Sequence, residues 1–262
     1  MIKSIFDIEN RLDITKEFKK IVKNLHENRI GNYAGHNSYI GIIVSYVFKS
    51  WKYRDTIIDV EEYLTHIGIT RYELSSGNIQ EENFLYYLQF ILNMEYLMCK
   101  LNKTYAVSEN AKLILANIPL ILEKMNYTYK NIEDKVIILK INADVDSVID
   151  KVPLSLSERL LEYNDFRNEN DIIEKKEILK SIDLYMEQYK KEFKGIDSKL
   201  YDSIGTIVNE MGVNHTISKK FEHLTEQELI KWYDKCFLMM IHSIRGLEIN
   251  KIKREREELI KK

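Results

Sequence analysis

The amino-acid sequence predicts a mainly α-helical protein built as a multi-helix bundle. Apolar residues recur at steps of three and four along most of the chain, which is the spacing of one helix face. Only nine glycines and two prolines occur among 262 residues, too few to separate many short strands. One segment, residues 136–141, reads VIILKI and is strongly β-branched. We therefore expect at most a small two-stranded β-ribbon, in the middle of the chain.

Residues 1–130 are expected to form an N-terminal helical domain. Between residues 13 and 29, Ile14, Phe18 and Ile21 lie at helical spacing and predict the first helix. Three further apolar stripes predict helices over residues 40–51, 60–67 and 84–99. Gly68 is expected to end the third helix, because glycine enters the left-handed region at low cost. The Ser-Ser-Gly-Asn run at 75–78 predicts a loop.

The middle of the chain is less regular. Pro119 interrupts a helical pattern over 113–125, so we expect a kink or a new helix start there. The strand at 136–141 needs a partner, and residues 104–107 are the nearest candidate. Residues 144–174 hold nine acidic and three basic side chains. We therefore place an acidic connector, with the β-ribbon, at residues 131–154.

Residues 155–262 are expected to form a C-terminal four-helix bundle with short connections. The first helix contains Leu156, and the second begins near Asp171 and ends at Gly195. The third ends at Gly212. Residues 225–228 read T-E-Q-E, a capping box that predicts the start of the last helix. Residues 245–262 hold seven basic and four acidic side chains, a pattern typical of a solvated helix end.

Composition and motifs exclude several function classes. The net charge of -2 argues against a protein that grips a phosphate backbone over its whole surface. No P-loop, dinucleotide-binding glycine motif or nucleophile elbow occurs. The two cysteines form no disulfide framework and indicate a reducing cytoplasm, and no apolar run is long enough to span a membrane. Histidine and cysteine spacings match no common zinc site, so we expect neither a metal nor another cofactor.

Two segments are candidates for chemistry. Arg29 and His36 are separated by six residues, which fits the arginine–histidine pattern of metal-independent helical ribonucleases of the HEPN type. With nine arginines and six histidines, about one such match is expected by chance. A tight helix–helix turn formed by Gly31, Gly35 and His36 is the favoured alternative. The second candidate is the loop Gly212-Val213-Asn214-His215-Thr216 before the last helix. Its alternative is a helix C-cap and connector.

Four stretches resemble a group of uncharacterised proteins from low-GC Gram-positive (Firmicute) bacteria and their mobile elements. These stretches are GNYAGHNSYIGIIVSYVFKSWKYRD, LANIPLILEKMN, LLEYNDFRNEND and EHLTEQELIKWYDKCFLMM. The C-terminal half of this group resembles the HEPN-like bundles of abortive-infection and other phage-defence proteins. Its loop before the last helix tends to read Arg-His-Asn-Asn, where this chain has Asn214-His215-Thr216-Ile217. The resemblance thus implies that His215 and Asn214 form the site, with the arginine missing.

The resemblance implies a cytoplasmic antiviral-defence protein that engages RNA or a partner protein through the loops of His36 and His215. The enzymatic version of this hypothesis is weak, metal-independent RNA cleavage, with Arg29 and His36 as the second choice of catalytic residues. The alternative is a non-catalytic helical adaptor or oligomer subunit. We also expect a homodimer and no association with membranes.

Overall fold

The computed structural model describes residues 12–27, 38–102 and 108–260. Within these ranges the chain is mainly α-helical, with one two-stranded antiparallel sheet, which confirms the predicted fold class. The chain divides into two compact units, Met1–Leu139 and Lys140–Lys262. The division falls inside the segment 131–154 that was expected to be a connector. None of the described helices has the length and apolarity needed to cross a membrane.

The N-terminal unit contains six α-helices among its described residues. They are α1 (Ile14–Val22), α2 (Tyr39–Tyr46), α3 (Val60–His66), α4 (Arg71–Ser76), α5 (Glu81–Lys100) and α6 (Glu109–Lys124). Most of them begin at a side chain that accepts a backbone N–H, as Asp13 does for α1 and Ser108 for α6. The third predicted helix ends as expected, with Gly68 at φ 75°.

Two predicted boundaries of this unit need correction, and the structure decides between the two alternatives for Pro119. The loop expected at 75–78 begins later, because Ser75 and Ser76 close α4, which Thr70 and Glu73 start with a capping box. The helix expected over 40–51 stops at Tyr46, and two short 3-10 turns, Phe48–Ser50 and Lys52–Arg54, follow it. Pro119 lies inside α6 and starts no new helix.

Helix α5 forms the centre of the N-terminal unit. Phe84, Tyr87 and Phe90 on this helix are fully buried. Phe18 packs edge-to-face against Phe84 and Tyr87, with ring centroids 6.0 and 5.4 Å away. Further along α5, Phe90 contacts the rings of Phe48, Trp51 and Tyr63. Phe18, Phe48 and Trp51 therefore belong to the core around α5.

The β-ribbon consists of β1 (Tyr127–Ile132) and β2 (Lys135–Lys140). The predicted strand is present, but β1 is its partner, and residues 104–107 lie outside the described residues. Residues 133 and 134 connect the two strands, and Glu133 adopts a left-handed φ of 52° there. Strands β1 and β2 therefore pair as a hairpin with a short turn. The buried amides of Asn93 and Gln89 bond the backbone of β2 at 2.8–2.9 Å. Helix α5 thus satisfies backbone groups of a strand that has only one neighbour in the sheet.

The C-terminal unit contains five α-helices among its described residues. They are α7 (Ala143–Val148), α8 (Leu154–Tyr163), α9 (Ile172–Gln188), α10 (Lys190–Glu210) and α11 (Glu226–Ile260). Helices α8 to α11 pack as the expected four-helix bundle, with α11 against both α9 and α10. The second helix was expected to end at Gly195, but α9 ends at Gln188 and Gly195 lies inside α10. Asp197 interrupts α10 with φ −152° and caps the following turn through the N–H of Leu200. The capping box of Thr225 and Glu228 is confirmed.

Candidate functional site

A buried charged cluster joins three helices of the C-terminal unit. The ammonium of Lys175, in the first turns of α9, donates to Asp234 Oδ1 on α11 over 2.6 Å. The hydroxyl of Tyr163, at the end of α8, donates to the same oxygen over 2.9 Å. The ammonium also lies 4.1 Å from the centre of the Tyr163 ring, and this ring stacks on Phe237 at 3.9 Å. The ammonium of Lys175 and the hydroxyl of Tyr163 therefore share one oxygen of Asp234.

The two charges of this cluster differ in their access to solvent. The side chain of Lys175 is only 5% exposed, whereas that of Asp234 is 48% exposed. Burial, and then the carboxylate of Asp234, raise the pKa of Tyr163 well above its ordinary value, so the hydroxyl stays protonated and acts as a donor. A buried ammonium is costly unless it is paired, and Asp234 together with the Tyr163 ring stabilises this one.

The cluster lines a cavity of about 300 Å³. Its polar wall includes Lys140, Asn142 and Glu169, and Phe166 and Leu238 add apolar surface. Several of these groups are already paired within the unit. Lys140 Nζ lies 2.7 Å from Glu169 Oε1, and the buried Asp165 accepts two hydrogen bonds from the side chain of Arg167.

The loop that carries His215 forms a second feature of this unit, and we call residues 212–224 the histidine loop. Gly212 adopts φ 86° and ends α10, as predicted. The N–H groups of Val213 and Asn214 both donate to the carbonyl of Val208 over 3.1 Å. The side-chain amide of Asn214 donates to Asp183 Oδ2 on α9 over 2.8 Å. His215 is exposed beside these anchored residues.

The partner of Asn214 sits in a partly desolvated place. Burial raises the pKa of Asp183, and the hydrogen bond from Asn214 opposes that shift. Burial and then the charge of Asp183 raise the pKa of the Cys236 thiol to about 12. Cys236 is therefore protonated at neutral pH, and its place in the core is structural.

The predicted site residues are only partly brought together. Asn214 and His215 are neighbours on one loop, whereas Arg29 and His36 lie outside the described residues. The N-terminus of α11 is closed by Thr225 and by the acidic Glu228. Across the described ranges, no group of three or more His, Cys, Asp or Glu side chains is arranged to hold a metal ion.

Lys175 and Asp234 were not among the predicted site residues, although the sequence contains a signal for them. Lys175 lies three residues before Ile178, on the apolar stripe of α9. Asp234 lies three residues before Phe237, at the edge of the buried face of α11. A charge on an apolar stripe indicates a paired or functional group.

Searches against protein-family models, curated proteins and solved structures found no match for this chain.

Proposed function

We propose that this protein is a cytoplasmic phage-defence protein of the abortive-infection type that binds RNA through its histidine loop. The observation that carries the proposal is the exposed His215 on a loop fixed at Gly212 and Asn214. A fixed loop with exposed polar side chains meets a ligand with little loss of conformational entropy. The sequence resemblance supports the cellular role, and the two cysteines outside any disulfide support the cytoplasm.

The side chains of the histidine loop suit an anionic polymer. His215, Lys219, Lys220 and His223 are exposed within nine residues of chain, which also include the exposed Glu222. One of the lysines, Lys220, has an ion pair with Glu210, but its side chain is still 57% exposed. Lysine and histidine side chains of this kind contact phosphates without reading sequence. This local basic segment is compatible with the slightly negative charge of the whole chain.

The same loop argues against efficient cleavage. Histidine can transfer a proton at a phosphate, but a second group must stabilise the charge that develops there. No arginine occurs from residue 168 to residue 244, so the nearby chain supplies no guanidinium. Asn214 is neutral and already bonded to Asp183. We therefore expect binding with weak or absent cleavage, which also accommodates the non-catalytic adaptor function.

The test compares the protein with its His215→Ala variant in RNA gel-shift and cleavage assays that contain EDTA. We expect His215→Ala to weaken binding and abolish residual cleavage. Its stability should change by at most about 0.5 kcal/mol, because the side chain is exposed. His66→Ala removes an exposed histidine from the N-terminal unit and is the matched control. Strong cleavage that survives His215→Ala but disappears in folded His36→Ala would move the site to the N-terminal unit.

A further inference from the structure

We propose that the cavity beside Lys175, Asp234 and Tyr163 binds a nucleobase. The cavity lies within the C-terminal unit, and its volume of about 300 Å³ is in the range of small-ligand pockets. The proposal uses different residues from the histidine loop and does not rest on the function proposed above.

The polar groups of the cluster form an adjacent donor and acceptor. The ammonium of Lys175 has three N–H groups, and its described hydrogen bond to Asp234 uses one. Within the described ranges, both hydrogen bonds to Asp234 reach Oδ1. Oδ2 of Asp234 can therefore accept a hydrogen bond from a ligand, and the ammonium of Lys175 can donate one to the same ligand. Nucleobases present an acceptor next to an N–H donor along one edge, and lysine and aspartate are among the side chains that read such edges.

Charge and shape favour a base over a multiply charged ligand. Two lysines, Lys140 and Lys175, face three carboxylates in the cavity wall. One of these carboxylates, Asp165, is paired with Arg167, so the remaining charges balance. Phe166 and the half-exposed Leu238 add apolar surface that a flat ring can contact. A neutral wall with apolar and polar sides suits a neutral heterocycle.

The base can come from a free nucleotide or from an RNA strand, and the experiment separates these sources. Binding of the four nucleoside 5′-monophosphates and of a mixed-sequence RNA heptamer is measured by calorimetry on the full chain. We expect at least one of the nucleotides or the RNA heptamer to bind, and Lys175→Met should lower the affinity about tenfold or more. Asp234→Asn should weaken it as well, because it replaces one of the acceptor oxygens with an amide.

Three controls accompany the binding measurement. Lys180→Met changes a lysine of the same helix that is 47% exposed, and it should leave binding unchanged. Circular dichroism and thermal melting verify that the Lys175 variant is folded. His215→Ala should retain nucleotide binding even if it loses RNA binding, which separates this proposal from the proposed function. The proposal is overturned if no arm binds at millimolar concentration, or if folded Lys175→Met binds as the parent does.

Discussion

At the scale of single residues, His26 is the clearest source of pH dependence. Its Nε2 lies 2.8 Å from the hydroxyl of Tyr87, and burial lowers its pKa to about 4. The unfolded chain takes up this proton near pH 6.5, whereas the folded chain resists until about pH 4. The unfolded state therefore binds more protons within this window, and stability falls as pH falls through it.

We predict that the free energy of unfolding of His26→Gln depends less on pH between pH 6.5 and pH 4 than that of the parent protein. Glutamine can still bond the Tyr87 hydroxyl but does not titrate. In the parent, protonation of His26 in the unfolded state should lower the free energy of unfolding by at most about 3 kcal/mol between pH 6.5 and pH 4. The variant should not show this decrease. Urea unfolding at several pH values measures the difference, with His66→Gln as an exposed control. Parallel pH profiles for the parent and His26→Gln would contradict the prediction.

Asn214 occupies the place where the resembling proteins tend to have arginine. A guanidinium at this position would meet the carboxylate of Asp183, which now bonds the asparagine. We predict that Asn214→Arg alone changes RNA cleavage little, because Asp183 neutralises the new charge. The double variant Asn214→Arg, Asp183→Asn should raise cleavage about tenfold or more. Equal rates for the single and double variants, measured with labelled RNA in EDTA, would be inconsistent with this.

At the scale of elements, alanine substitutions at Gly205 inside α10 and at Gly212 just after it should change the free energy of unfolding in opposite directions. Gly212 ends the helix at φ 86°, and an added Cβ would lie 2.9 Å from Ile217 Cγ1. Gly212→Ala should therefore cost about 1–2 kcal/mol and disturb the histidine loop. Gly205 lies inside the helix with open space around it, so Gly205→Ala should stabilise by about 0.5–1 kcal/mol. Urea unfolding measures both, and a neutral Gly212→Ala would show that the loop adapts.

At the scale of the whole molecule, the end of α11 bears on oligomeric state. Residues 251–260 are exposed along the helix, including Ile252 and Leu259, which are 60% and 74% exposed. Ile249, Ile252 and Leu259 lie at coiled-coil spacing, with Arg256 at the one polar position of this stripe. An isolated helical end of this length is marginal in water, so a partner would stabilise it.

We predict a homodimer formed through this stripe. Light scattering at micromolar concentration should give twice the mass of 31.2 kDa, and Ile252→Lys with Leu259→Lys should reduce it to the monomer value. Leu184→Lys, at another exposed leucine of the C-terminal unit, is the matched control and should remain dimeric. Monomer mass for the unmodified protein across this concentration range would refute the dimer.

The helical class, the C-terminal bundle and several boundaries were readable from the sequence alone. Stripes at three- and four-residue spacing predicted α5 and α9, and the Thr225 capping box predicted the start of α11. These features depend on contacts within a few residues of chain, so local patterns contain them. Helix α4 was missed although its capping box is equally local, because Ser75-Ser76-Gly77 resembles a loop more than a last helical turn.

Only the tertiary structure decided which distant residues meet. The pairing of Lys175 with Asp234 spans 59 residues, and that of Asn214 with Asp183 spans 31. Periodicity shows which face of a helix is apolar, but it leaves open which helix that face packs against. The candidate cavity therefore arises from the packing of α8, α9 and α11, because burial of their apolar faces brings the charges together.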